Sequence, residues 1–184
     1  MLRTILLFGL LANASTLAGQ SPVINLSYFG VLGTHPGLKI GLAWPVASWP
    51  GEDGDAGLSQ LIAGPSLIVY FHRRNHLGLG LQAELGFRHR RPAGFQLETM
   101  AGVGVLRAWR PERMYDFDRA ADGPPRHWSG QSFFLKTVSL GLGGRVGNRH
   151  GDDRWLLKPT LLHTRPYATA SHFNIAIDAA FQFQ

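Results

Sequence analysis

Apolar and polar residues alternate along most of this chain, and the longest alternating stretch runs from Leu77 to Trp109. Pro92-Ala93-Gly94 divides this stretch into two arms. In each arm the residues at alternate positions are mostly apolar, and the residues between them are mostly glycine or polar. A period of two sustained over this length predicts extended strands, and the short connection predicts a β-hairpin. Each arm has room for about 10 residues, the length of a tilted strand that crosses a bilayer.

The same alternation recurs along the rest of the chain and predicts an all-β fold, an eight-stranded antiparallel up-and-down transmembrane β-barrel. The expected strands are 23–30, 36–47, 60–72, 76–89, 94–109, 132–147, 154–166 and 171–184. Eight is an even number, as bacterial single-chain barrels require when both chain ends stay in the periplasm. The long segment 110–131 is then expected on the extracellular side of the membrane. The turns at 92–94 and 148–153 are expected on the periplasmic side. The first strand has the weakest alternation, and it is kept because a barrel without it would have its longest loop in the periplasm. Pro65 predicts an edge, a bulge or an irregular start in its strand.

The residues on the opposite, less apolar face of the strands indicate whether the apolar face contacts lipid or packs in a soluble core. The less apolar face is rich in glycine, which weakens a solvated strand but suits the narrow lumen of a small barrel. A membrane barrel is therefore favoured over a soluble secreted barrel, and Trp44, Trp109 and Trp155 near strand ends fit an interfacial aromatic belt. The charged residues of this face are expected to form a structural polar network in the lumen: Lys39, Glu84, Arg88, Glu98, Arg145, Lys158 and Asp178.

Composition fits this location. Of the 184 residues, 16% are charged and 45% are hydrophobic, 23 are glycine and none is cysteine. Arg3 and the short apolar run that follows it predict a signal peptide over residues 1–19, with the barrel over residues 20–184; a membrane-tethering helix is the alternative. The expected location is the outer membrane of a Gram-negative bacterium, after cleavage of the signal peptide.

Several segments resemble small, largely uncharacterised outer-membrane β-barrel proteins of Bacteroidetes-type bacteria. The resemblance covers most of the mature chain and lies in Tyr28-Phe29-Gly30, 34–41, 83–88, 92–95 and 102–107. It implies the fold and the location, and it brings no catalytic residues. The alternating end of the chain also looks like an outer-membrane insertion signal, from which it departs by one residue because Gln184 follows Phe183.

Candidate chemistry is sparse. His127 and Ser129 have the spacing used by lipid A deacylases, which also need a downstream acid to orient the histidine. The expected topology places the candidate acids Asp152 and Asp153 at the opposite end of the barrel. His72, His76 and His150 make no recognisable metal set, so no metal or cofactor is expected. The net charge of +6 is scattered, which argues against nucleic-acid binding.

The preferred interpretation is a structural or surface-interaction protein, not an enzyme, with unknown molecular activity. Its alternatives are a lipid A-modifying, deacylase-like enzyme that uses His127 and Ser129, and a small pore. Expected partners are outer-membrane lipids, the assembly machinery during insertion and an extracellular ligand of loop 110–131. Aromatic and arginine side chains are enriched at binding hot spots. The candidate binding residues in the loop are Arg113, Tyr115, Phe117, Arg119, Arg126 and Trp128.

Overall fold

The computed structural model describes residues 21–31, 35–50, 57–72, 76–111, 128–147, 152–165 and 172–183. These residues form eight antiparallel strands in sequence order, and β1 pairs with β8 to close the barrel. The strands are β1 Val23–Val31, β2 Gly37–Pro50, β3 Leu58–His72, β4 His76–Arg90, β5 Gln96–Pro111, β6 Trp128–Arg145, β7 Arg154–Arg165 and β8 His172–Phe183. The expected eight-stranded up-and-down barrel is confirmed. The expected signal peptide lies outside the described residues.

The first strand belongs to the barrel, because β1 pairs with both β2 and β8. The largest difference from the expected bounds is at the long segment between β5 and β6. β5 continues to Pro111 and β6 begins at Trp128, and these two residues are register partners. The expected loop 110–131 was therefore too wide, because pairing between the two strands continues past the end of the clear alternation.

Side chains alternate between the two faces along most of the barrel, and most of the large apolar ones point away from the barrel axis. Leu81, Leu85, Val103 and Val138 are each more than half exposed, whereas their neighbours Gln82 and Thr137 are buried. The expected face assignment is therefore the observed one. No helix in the described part of the chain is long and apolar enough to cross a membrane.

Two ladders of the barrel are interrupted beside prolines. Between β6 and β7 the register lapses from the Ser139–Thr160 pair to the Leu142–Leu157 pair, and Pro159 lies in this gap. Proline has no N–H to donate to a ladder. Between β2 and β3 the register shifts at Pro45/Ala47. Pro65 lies beside a lapse in that pairing, in line with the irregularity that this proline predicted.

The inner faces fill the barrel with two kinds of side chain. Near the β5–β6 connection they are mainly apolar, and towards the Arg90–Gln96 turn they are mainly charged or amide-bearing. A smaller apolar cluster of Ala43, Ile62 and Met100 also lies inside. The lumen is thus divided along its axis.

Candidate functional site

The centre of the charged half is Glu98, which is 1% exposed and contacts side chains from three other strands. Its carboxylate accepts a hydrogen bond from Arg88 Nε at 2.8 Å and another from Lys158 Nζ at 3.3 Å. Gln182 Nε2 donates to it at 3.1 Å, and Gln96 Nε2 donates to it at 3.3 Å. The lumen is therefore crossed by a continuous layer of hydrogen bonds, which fixes β4, β5, β7 and β8 relative to one another.

A second ionic group lies beside this layer. Lys39 Nζ is 2.7 Å from Glu84 Oε1 and 3.8 Å from Asp178 Oδ2. Gln82 Nε2 donates to Glu84 at 2.9 Å, and Thr137 Oγ1 donates to Gln82 at 3.2 Å. With the Glu98 group, the lumen network holds the cations Lys39, Arg88 and Lys158 and the anions Glu84, Glu98 and Asp178. Opposite charges balance within it, as a buried network requires.

Six of the seven residues expected in this network lie on the inner face and are brought together. Arg145 is the exception, and its expected place in the lumen is wrong. Its side chain is 48% exposed and lies at the end of β6, 3.8 Å from Asp152. Arg145 has the inward parity, but it comes at the rim, where parity no longer implies burial.

Asp152 organises a rim cluster of charged side chains at this end of the barrel. It accepts from Arg90 Nη1 at 2.7 Å and from Arg154 Nη2 at 2.7 Å. Arg154 also donates to the carbonyl oxygen of Gly94 at 3.0 Å, which ties the β4–β5 turn to β7. Burial alone would raise the pKa of Asp152, but the hydrogen bond from Arg154 and the charges of Arg90, Arg154 and Arg145 lower that pKa below its ordinary value. The carboxylate is therefore ionised across the neutral range.

The apolar half of the lumen forms an open cup with a cavity of about 320 Å³. Ile68, Leu106, Leu135 and Leu162 line its wall, and Leu135 is 1% exposed. The polar residues that also line it are Gln131, Thr164, His172 and Asn174. Tyr70 lies over Gly78, where a Cβ would collide with its ring, so this glycine makes room for the aromatic wall. The cup suits an apolar group of small-ligand size.

Sequence reasoning missed the cup and the rim cluster. A signal for the cup was present, because both parities are apolar in Leu67-Ile68-Val69, Val105-Leu106 and Leu161-Leu162. Because neighbouring residues of a strand face opposite sides, two consecutive apolar residues indicate that one of them faces the lumen. The rim cluster had no comparable local signal, because Arg90 and Asp152 are 62 positions apart and meet only through barrel closure.

The structure separates Ser129 from Asp152, one of the acids that could complete a catalytic triad. Ser129 lies in β6 opposite Arg110, whereas Asp152 lies at the other end of the barrel. His127 lies outside the described residues. Asp178 is buried in the lumen, where it accepts from Thr160 at 3.4 Å.

Of the candidate binding residues, Trp128 begins β6 and so belongs to a strand instead of a loop. Arg113, Tyr115, Phe117, Arg119 and Arg126 lie outside the described residues. His72 and His76 are register partners in the β3–β4 hairpin, and His150 is not described. Among the described residues no three or more His, Asp or Glu side chains are grouped as for a metal ion.

The closed antiparallel barrel and its apolar outer face define the class of this fold, a small barrel of the outer-membrane type. No protein-family model and no curated protein match the chain. Among solved structures it is similar to the crystal structure of the outer membrane enzyme PagL, with a TM-score of 0.49 and 11% identity. The match covers 89% of this chain and 98% of that one.

This likeness is too weak to carry residue roles or an activity to this chain. It does correct the expectation that the chain is not an enzyme. The protein of that structure is an outer membrane enzyme, so the absence of an enzymatic activity is not concluded for this chain.

Proposed function

We propose that the protein is an integral outer-membrane barrel with a filled lumen, and that it interacts with surface ligands at its β5–β6 end. The outward face supports membrane insertion: large apolar side chains are exposed around the barrel, while buried charges lie inside. A soluble barrel would reverse this arrangement, because its apolar residues would pack in the core. Envelope fractionation and a heat-modifiability gel test the location. Release by a carbonate or urea wash would contradict it.

A pair of adjacent substitutions tests which face contacts lipid. Leu81 is 58% exposed and outward, whereas Gln82 is 2% exposed and inward. Leu81→Arg should cost about 2–4 kcal/mol of folding free energy if the residue lies at the bilayer midplane. Gln82→Arg should cost less where lumen carboxylates can pair with the new cation. Folding titrations in lipid vesicles compare the two, and equal or reversed costs would contradict the assignment.

The filled lumen supports a non-conducting barrel over the small pore. The Glu98 group crosses the barrel from β4 to β8, and the Asp152 cluster lies at the adjacent rim. We expect no steady ion current from the wild-type protein in planar bilayers. A stable unitary conductance would establish the pore. Abolition of that conductance by enlarging Gln182 would place the current inside the barrel.

The cup supports the proposed interaction at the β5–β6 end, because it is an apolar recess at the mouth of the lumen. Deletion of residues 113–126 tests the role of the adjoining segment in a protein that still inserts. Loss of crosslinked partners is the expected result. An unchanged set of partners would leave that segment without a binding role. Arg91→Gln, in the connection between β4 and β5 at the other end of the barrel, is the control.

Lipid A modification is the second candidate function. The position of Ser129 in β6, near the end where the cup opens, keeps this residue at the mouth of the barrel. Mass spectrometry of lipid A from cells that express the wild type or Ser129→Ala tests this function directly. Loss of an acyl chain with the wild type but not with the variant would establish the enzyme and assign Ser129 to it.

A further inference from the structure

The outward faces of three adjacent strands change from apolar to basic at one end of the barrel. On β6, Lys136 follows the outward residues Leu142, Leu140 and Val138. On β5, Arg107 follows Val105, and on β7, His163 and Arg165 follow Leu161. Within the described residues, the outward faces of these strands carry no acidic side chain. The basic border is defined as Arg107, Lys136, His163 and Arg165.

Strand register brings Lys136, His163 and Arg165 together, while Arg107 is the partner of Ser132, further along β6. Lys136 is the direct partner of His163, and Arg165 is the partner of Phe134, one same-face position away. Diagonal neighbours on one face are about 7–8 Å apart, so Lys136 and Arg165 can contact one anionic group. The described residues provide no ion pair to Arg107, Lys136 or Arg165. Their charges are therefore available to an external partner.

Aromatic rings hold parts of the basic border in place. Lys136 Nζ is 5.5 Å from the centroid of the Phe134 ring, and the Arg107 guanidinium is 5.5 Å from that of Trp109. The His163 and Phe173 rings stack with centroids 4.4 Å apart. Such contacts reduce the side-chain freedom that is lost on binding.

A groove lies on the outer surface beside the basic border, with a volume of about 590 Å³. Its wall includes Ala101, Val138, Leu161 and Ile175, which are consecutive register partners across β5, β6, β7 and β8. The Lys136–His163 row is the next outward row along the same strands. Two residues along a strand span about 6.6 Å, so the groove begins within one row of the cations.

We propose that this surface binds one membrane lipid with an anionic phosphate headgroup. The phosphate would contact Lys136 and Arg165 of the basic border, and one acyl chain would lie in the groove next to them. This inference rests on the proposed function, because only a membrane-inserted barrel presents its outer face to lipid. Charge complementarity and the apolar groove select the phosphate-bearing lipid as the occupant.

Basic residues at a barrel rim also place their charges in the interface without binding any particular lipid. A specific site differs from this simple snorkelling in two ways. It retains a bound lipid through extraction from the bilayer, and it depends on the groove as well as on the charges. Both properties can be measured.

Native mass spectrometry of the barrel, extracted from phosphatidylcholine vesicles with a minority of phosphatidic acid, tests the site. The wild type should retain one phosphatidic acid molecule in preference to phosphatidylcholine. Lys136→Gln with Arg165→Gln should lower that retention by about tenfold or more. Arg91→Gln is the matched control, because Arg91 is an exposed cation in the turn at the opposite end.

A second pair of variants tests the groove independently of charge. Ala101→Phe should fill the groove and lower retention, whereas Ala179→Phe, also outward and exposed but on β8 outside the groove, should not. A heat-modifiability gel is run first, and failure of the wild type to insert would overturn the proposed function itself. Insertion without preferential retention would overturn only the lipid site. Equal losses from Arg91→Gln, or from Ala179→Phe, would also overturn it.

Discussion

The two halves of the lumen are built on the same strands from opposite chemistry. In the half near the Arg90–Gln96 turn, Glu98 and its partners cross the barrel through hydrogen bonds of 2.8–3.3 Å. In the half near the β5–β6 connection, apolar side chains surround a cavity of about 320 Å³. Hydrogen bonds and ion pairs link the side chains of the charged half, whereas the apolar side chains of the other half surround an open cavity. The difference separates a half whose polar side chains link four strands from a half whose apolar side chains leave a cavity open.

The largest expected effect is in the charged half. Glu98→Ala leaves Arg88 and Lys158 buried without their shared carboxylate, and this should cost about 3–5 kcal/mol of unfolding free energy. Urea titration of the inserted barrel, followed by tryptophan fluorescence, measures it. Asp153→Ala, which removes a carboxylate at the rim, is the control. A loss as small as about 0.5 kcal/mol, typical of surface substitutions, would show that the network does not hold the barrel together.

A truncation in the apolar half should cost less. Leu135→Ala removes a fully buried side chain from the wall of the cup. We expect a loss of about 2–3 kcal/mol, the low part of the range for buried leucine, because the site already borders a cavity. The same urea titration measures this loss. A cost equal to that of Glu98→Ala would mean that the two halves are packed with equal constraint.

The Asp152 cluster predicts an acid-sensitive rim. Because folding lowers the pKa of Asp152, its stabilisation is complete above the unfolded pKa of about 3.9 and is lost as pH falls through the lower folded value. The unfolding midpoints of the wild type and Asp152→Asn should therefore differ at neutral pH and converge in strong acid. Convergence isolates Asp152 from the other carboxylates. A constant difference across this range would contradict the proposed role of its charge.

The smallest effect compares one glycine from each half. A Cβ at Gly80 would meet Ile68, Leu106 and Leu135 at 3.5–3.6 Å, which is ordinary contact. Gly80→Ala should therefore stabilise the barrel by about 0.5–1 kcal/mol. At Gly102 a Cβ would lie 2.5 Å from Thr137 Oγ1, so Gly102→Ala should destabilise it. Changes of the same sign in both variants would remove the packing difference between the halves.

Strand number, strand order and face assignment were predictable because alternation is a local property that a closed barrel preserves. β8 shows this best, since Phe173 to Phe183 alternates without a fault and the observed strand ends at Phe183. Local pattern cannot supply depth along the axis, and this is why Arg145 was placed in the lumen when it lies at the rim. Nor can it supply contacts such as Gln96 with Gln182, 86 positions apart, because barrel closure alone determines them.

The pairing of β1 with β8 also governs how the chain can reach its folded state. Ile24 and Phe183 are register partners although they lie near opposite ends of the described chain. The ladder between β1 and β8 therefore cannot form until β8 has reached the sheet. Until then both terminal strands present unpaired edges, which are templates for aggregation. Ladders with such large sequence separation form slowly. We therefore expect a chaperone that binds these edges to affect the yield of folded barrel more than its final stability. The same holds for an insertion factor in the membrane that delays their exposure.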